Sequence, residues 1–142
     1  MIKKIYYLAG KGNCGKTDTV KRAYQELLSL YPNAKKIIEE KKYVELFAVL
    51  KINGKTIGIS SQGDTKELVL KHLTRLVSMK CQIILTATRS RGGSIDSVRS
   101  FKPSYEIFRI NQKYEHNEKI QSDSNQSIAL QLVSKIQTEI NA

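Results

Sequence analysis

Gly10, Lys11, Gly12, Asn13, Cys14, Gly15, Lys16 and Thr17 follow one another directly after an apolar run, Ile5-Tyr6-Tyr7-Leu8-Ala9. The octapeptide fits the pattern G-x-x-x-x-G-K-[ST] without a gap, with a strand-like run before it and a helix-like pattern after it. Such a turn can hold a polyphosphate. A chain of phosphates needs many donors close together, and backbone N–H groups pointing inward supply them only where side chains do not obstruct the approach. Gly10, Gly12 and Gly15 can take positive φ or leave that room, and Lys11, Asn13 and Cys14 complete the loop. Lys16 would set its ammonium beside the β- and γ-phosphates, and the Thr17 hydroxyl would be a ligand to Mg²⁺. A helix starting here adds its N-terminal dipole and unpaired N–H groups.

On these residues the chain resembles the P-loop NTPase superfamily. The resemblance implies a nucleotide-binding α/β domain over residues 1–142, a nucleoside triphosphate (ATP by default) as ligand and Mg²⁺ as its companion.

Composition sets the bounds. The 142 residues carry 24 Lys and Arg against 13 Asp and Glu, a net charge of +11, with 40% hydrophobic residues. That suits one domain with a single two-sided core. The positive balance suggests attraction to polyanions, nucleic acid or an acidic partner among them, although the lysines are spread in pairs (Lys3-Lys4, Lys35-Lys36, Lys41-Lys42) with no long basic block. No run approaches a membrane helix, and Met1-Ile2-Lys3-Lys4 is unlike a signal peptide, so a cytoplasmic protein without membrane contact is expected. Cys14 and Cys81 form no metal-ligand spacing; Cys14 reads as a small residue tolerated in the loop, with a reactive thiol as the alternative.

The elements that must position the loop follow in order. Val20, Ala23, Tyr24, Leu27, Leu28 and Tyr31 give an apolar stripe over about Lys16 to Tyr31, stopped by Pro32-Asn33. Asn33 to Tyr43, rich in lysine and glutamate, reads as an exposed crossing segment or short helix. Val44 to Ile52 and Lys55 to Ser61, joined by Asn53-Gly54, read as a hairpin. A helix follows from Thr65 or Asp64, carrying Leu68, Val69, His72, Leu73, Leu76 and Val77. Cys81 to Thr88 is a buried strand, Ser94 caps a short helix that Pro103 ends, Tyr105 to Ile110 is a fifth strand, Asn111 to Gln126 is a polar surface loop, and Ser127 to Ile140 is the last helix. This order predicts a three-layer α/β/α sandwich around a mainly parallel five-stranded sheet, with one antiparallel strand from the hairpin. Ligands bind such sheets at the carboxyl ends of the strands, so Gly10–Thr17, Ser60–Asp64 and Thr88–Gly93 should converge.

Asp64, just past a strand and beside Gly63, is the candidate metal-shell or water-positioning carboxylate; capping the next helix is its other reading. Arg89 and Arg91 are candidates to stabilise charge on a transferring phosphoryl group, and Gln62 to orient a water. The hairpin leading to a glycine-containing turn resembles Ras-like GTPases. Their Asp-x-x-Gly is here Ser60-Ser61-Gln62-Gly63, and no Asn-Lys-x-Asp guanine-reading motif follows. His72 reads as structural, and Tyr6, Tyr7, Tyr24, Tyr31, Phe47, Phe101, Tyr105 and Phe108 read as core or sheet-face residues, with no stacking platform for bases evident among them. Three functions are consistent with these residues: an NTP-binding protein with Mg²⁺-dependent hydrolysis, a phosphotransferase whose arginines clamp an acceptor, and a non-enzymatic nucleotide- or nucleic-acid-binding module.

Overall fold

The computed structural model describes residues 2–12 and 14–142. Asn13, expected among the phosphate-holding residues, lies outside them. The elements are β1 (Lys4–Ala9), α1 (Lys16–Leu30), β2 (Lys35–Lys42), β3 (Glu45–Ile52), β4 (Lys55–Ser60), α2 (Lys66–Ser78), β5 (Ile83–Thr88), α3 (Gly93–Arg99), β6 (Glu106–Asn111) and α4 (Glu118–Ile140).

All six strands form one mixed sheet in the order β2-β3-β4-β5-β1-β6. β1 lies parallel to β5 and β6, and β4 parallel to β5. β3 is antiparallel to both of its neighbours, so it alone runs against the other five. Alternation along the strands sends side chains to opposite faces. Tyr6, Leu8, Ile57, Ile59 and Leu85 join Val20, Ala23 and Leu27 of α1 and Leu132 and Ile136 of α4 in one apolar cluster. Ile5, Tyr7, Val49 and Ile84 join Val69, Leu73 and Leu76 of α2 and Val98 of α3 in another. Helices therefore cover both faces.

The expected count of five strands is corrected to six. The extra strand is β2, in the stretch read as a crossing segment or short helix. It pairs with β3 from Lys35↔Lys51 to Lys42↔Glu45, with a bulge between Lys36 and Ile38. It is an edge strand exposed along nearly all its length, so neither face had to carry the alternation that marks a strand in sequence, and its charges discourage further pairing. It is tied down by side chains instead: Tyr24 on α1 donates to Glu39, and Arg75 on α2 donates to Glu40 through Nη1 and Nη2, at 2.8 and 2.6 Å.

The second correction concerns residues 111–126, expected as a surface loop. α4 begins at Glu118, nine residues before the expected start, and Asn117 caps it by accepting from the backbone N–H of Lys119 and Ile120 at 2.9 and 3.1 Å. Its first turns rest on polar groups under the loop 10–17 rather than on the apolar core, so hydrophobic periodicity did not reveal them.

Candidate functional site

One edge of the sheet gathers the carboxyl ends of β1, β4, β5 and β6 and, because β3 is reversed, the amino end of β3. Gly15, at φ 92°, makes the left-handed turn from β1 into α1 that a Cβ would strain. Gly10 and Gly12 serve close approach by protein atoms. A Cβ at position 10 would lie 2.6 Å from Cys14 Sγ, and one at position 12 would overlap the Arg89 guanidinium.

Lys16 opens α1 and is only 7% exposed. Its ammonium donates to the carbonyls of Gly10 and Thr88, the latter at 2.7 Å, so both hydrogen-bond partners are neutral main chain. Burial pushes its pKa below the ordinary value, a penalty that nearby groups such as Asp64 and Glu45 only partly offset.

A cavity of about 650 Å³ opens beside this ammonium, lined by Lys16, Thr17, Glu45, Gln62, Gly63 and Asp64 among others. The Thr17 hydroxyl donates to Glu45 Oε1 at 2.7 Å. Asp64, the carboxylate expected near the metal, is exposed and faces Arg89, with 3.6 Å between Oδ1 and Nε. Thr17 thus has a carboxylate partner, but from the reversed strand. No motif in the sequence marked Glu45, because a carboxyl-end rule passes over the first residue of an antiparallel strand. The ladder carries it to the site: Ser61 N–H donates to the Leu46 carbonyl at 2.9 Å and Leu46 N–H to Ser61 Oγ at 2.8 Å, one residue from Glu45.

The chemistry of this donor set fits a hard divalent cation. No group of three or more His, Cys, Asp or Glu that could hold a metal exists among the described residues, so Thr17 and Glu45 would need further oxygen ligands from outside the protein to hold an ion here.

Arg89 lies against Gly12 and its backbone N–H donates to Ser94 Oγ at 2.9 Å. Ser94 was expected to cap α3; it is buried and braces the arginine loop, while Gly92 holds the cap position. Arg91 is exposed and lines neither the large cavity nor the smaller one over Gly12. Gln62 Oε1 accepts from His72 Nε2 at 3.1 Å. Burial, with Lys71 and Arg75 nearby, lowers the His72 pKa and keeps the ring neutral.

The loop has a support that sequence reading missed. Gln112, buried just past β6, donates to the Cys14 carbonyl at 2.8 Å and to Asn125 Oδ1 at 2.6 Å, and accepts from Thr19 Oγ1 at 2.8 Å. Asn125 in turn donates to Asp18 at 2.9 Å. Only the amide residues themselves signalled this, in a stretch that read as solvated. Replacing Gln112 by alanine strands several of these groups at once, and we expect a loss of roughly 2–4 kcal/mol in denaturant unfolding, from about 1–3 kcal/mol per unsatisfied buried group.

Cys14 is fully buried and burial raises its thiol pKa, while Cys81, equally buried, is pushed up to about 12. The alternative of a reactive Cys14 thiol is thereby set aside, since desolvation outweighs the pull of Lys16 toward thiolate. A thiol reagent at neutral pH should label neither cysteine in the folded protein and both after unfolding.

No helix among the described residues is long and apolar enough to cross a membrane. Comparison with family models, with curated proteins and with solved structures found no match to this chain, so the site is read from its own geometry.

Proposed function

We propose that the protein is a P-loop NTPase that binds a nucleoside triphosphate, ATP by default, with Mg²⁺ at the loop 10–17 and hydrolyses it. The observation that carries this reading is the Lys16 ammonium: a buried cation held by two neutral carbonyls at the mouth of a large cavity. Burying a charge whose hydrogen-bond partners are all neutral is costly, and an anionic ligand relieves that cost. The sheet with helices on both faces supports a three-layer α/β/α arrangement, with the loop at the edge where such folds place ligands. A cytosolic setting would supply the nucleotide.

In this reading the loop amides and Lys16 hold the phosphates, and Thr17 with Glu45 holds the cation. Bound Mg²⁺ supplies charge neutralisation at the phosphoryl oxygens. Gln62, fixed by His72, orients the attacking water, and Arg89 with Asp64 stands over Gly12 at the loop's outer side. Phosphotransfer is less favoured. The stretch after α1 that would hold an acceptor-binding insertion is the edge strand β2.

Phosphate release from ATP and from GTP, with and without Mg²⁺, tests the reading. We expect turnover only with Mg²⁺, slow without a partner that completes the site. A stable phosphorylated acceptor with no water-dependent release would replace hydrolysis by transfer.

A further inference from the structure

A second cavity, about 520 Å³, lies over the outer side of the loop, lined by Lys11, Gly12, Asp64, Arg89 and Tyr114. It shares only Asp64 with the cavity around Lys16. We propose that this cavity is the centre of a binding site for single-stranded nucleic acid, with a base stacked on Tyr114 and the flanking phosphates on Lys11, Arg89, Arg91, Arg109 and Lys113.

No role was read for Tyr114 in the sequence. It lies beyond β6, is 39% exposed, has the Lys11 ammonium 4.3 Å from its ring centroid, and meets the His116 ring edge-on at 4.9 Å. The ammonium lies over one face of this part-exposed ring, so an unstacked base takes that face as the lysine turns to the flanking phosphate. The cations around it come from three separate stretches of chain brought to one edge. Arg109 ties two of them, donating to the Ser90 carbonyl and to Asn111 Oδ1, each at 2.8 Å, and so places the Arg89–Arg91 loop beside the segment carrying Lys113 and Tyr114. The acids nearby are Asp64, already facing Arg89, the half-buried Glu115, and on the other side of the Tyr114 ring Glu118 and Asp18, the latter paired with Arg22.

A duplex keeps its bases stacked and would offer the ring nothing. The site is therefore specific for strand over duplex and tolerant of sequence. It operates without nucleotide hydrolysis and stands or falls separately from it.

The test is fluorescence anisotropy of labelled oligo-dT and oligo-U, roughly twelve nucleotides long to span one such groove, with no nucleotide or Mg²⁺. We expect binding that weakens steeply between about 50 and 200 mM salt, a duplex of equal length bound more weakly, and a roughly tenfold loss for Tyr114→Ala that Tyr114→Phe restores. Arg109→Ala should weaken binding and flatten the salt dependence. Lys135→Ala, an equal change of charge near the far end of α4, should do neither. Equal losses for Lys135→Ala and Arg109→Ala, an unaffected Tyr114→Ala protein, or a duplex held as tightly as the strand would each overturn the proposal. So would competition by a free nucleoside monophosphate at the concentration of the oligonucleotide, which would point to a small acceptor instead.

Discussion

Glu45→Gln protein should still bind a triphosphate but lose most of the gain that Mg²⁺ gives, a drop of roughly ten- to a hundredfold in the metal-dependent affinity, the usual effect of removing a group that orients a metal ligand. The substitution keeps the size of the side chain and its place at the start of β3. It removes the negative charge facing Thr17, whose hydroxyl then meets a neutral amide in place of the carboxylate oxygen at 2.7 Å. Asp64→Asn is the informative companion. Asp64 is exposed and faces Arg89 rather than Thr17, so its loss should leave the Mg²⁺ dependence nearly intact. Isothermal titrations of both variants, with and without the metal, check this, and the reverse ranking would return the metal to Asp64.

These two carboxylates show what could be read from the sequence. The turn into α1 was legible because it is local: the glycines, lysine and threonine of residues 10–17 are contiguous, and the structure puts a left-handed turn at Gly15 and a helix start at Lys16, as the spacing required. The hairpin around Asn53-Gly54 was legible for the same reason, with both central residues at positive φ. Arg89 reached the loop because it follows a strand whose carboxyl end could be foreseen beside β1.

What escaped depends on pairings between distant stretches. Glu45 comes to the site through the reversal of β3, Gln112 through a hydrogen bond to the Cys14 carbonyl and Asn125 through one to Asp18 on α1, each about a hundred residues earlier in the chain. β2 is held by Tyr24 and Arg75 on two different helices. None of these leaves a period in the sequence.

Lys16→Ala has the largest expected effect on function. Its ammonium contacts two neutral carbonyls, so a bound phosphate is its first strong counter-charge, and removing one partner of such a buried pair costs roughly 2–5 kcal/mol, a loss of about thirtyfold or more in triphosphate affinity. The fold should tolerate the change, because the folded protein already disfavours this charge. The pH dependence follows from the same shift. Burial holds the Lys16 pKa below its ordinary 10.5, and a bound anion raises it again. Between the lowered value and the ordinary one, nucleotide binding should therefore take up a proton, and affinity should fall as pH rises. Stability should change in the opposite sense in that window, since the unfolded chain binds more protons than the folded one.

The most direct measurement is calorimetric titration of wild-type and Lys16→Ala protein with ATP and with GTP, in the presence and absence of Mg²⁺. The site described here predicts that the wild type binds at least one triphosphate, that Mg²⁺ strengthens the binding, and that the Lys16→Ala protein loses it while unfolding at nearly the same temperature. Absence of binding by the wild type at millimolar nucleotide, or undiminished binding without Lys16, would contradict it.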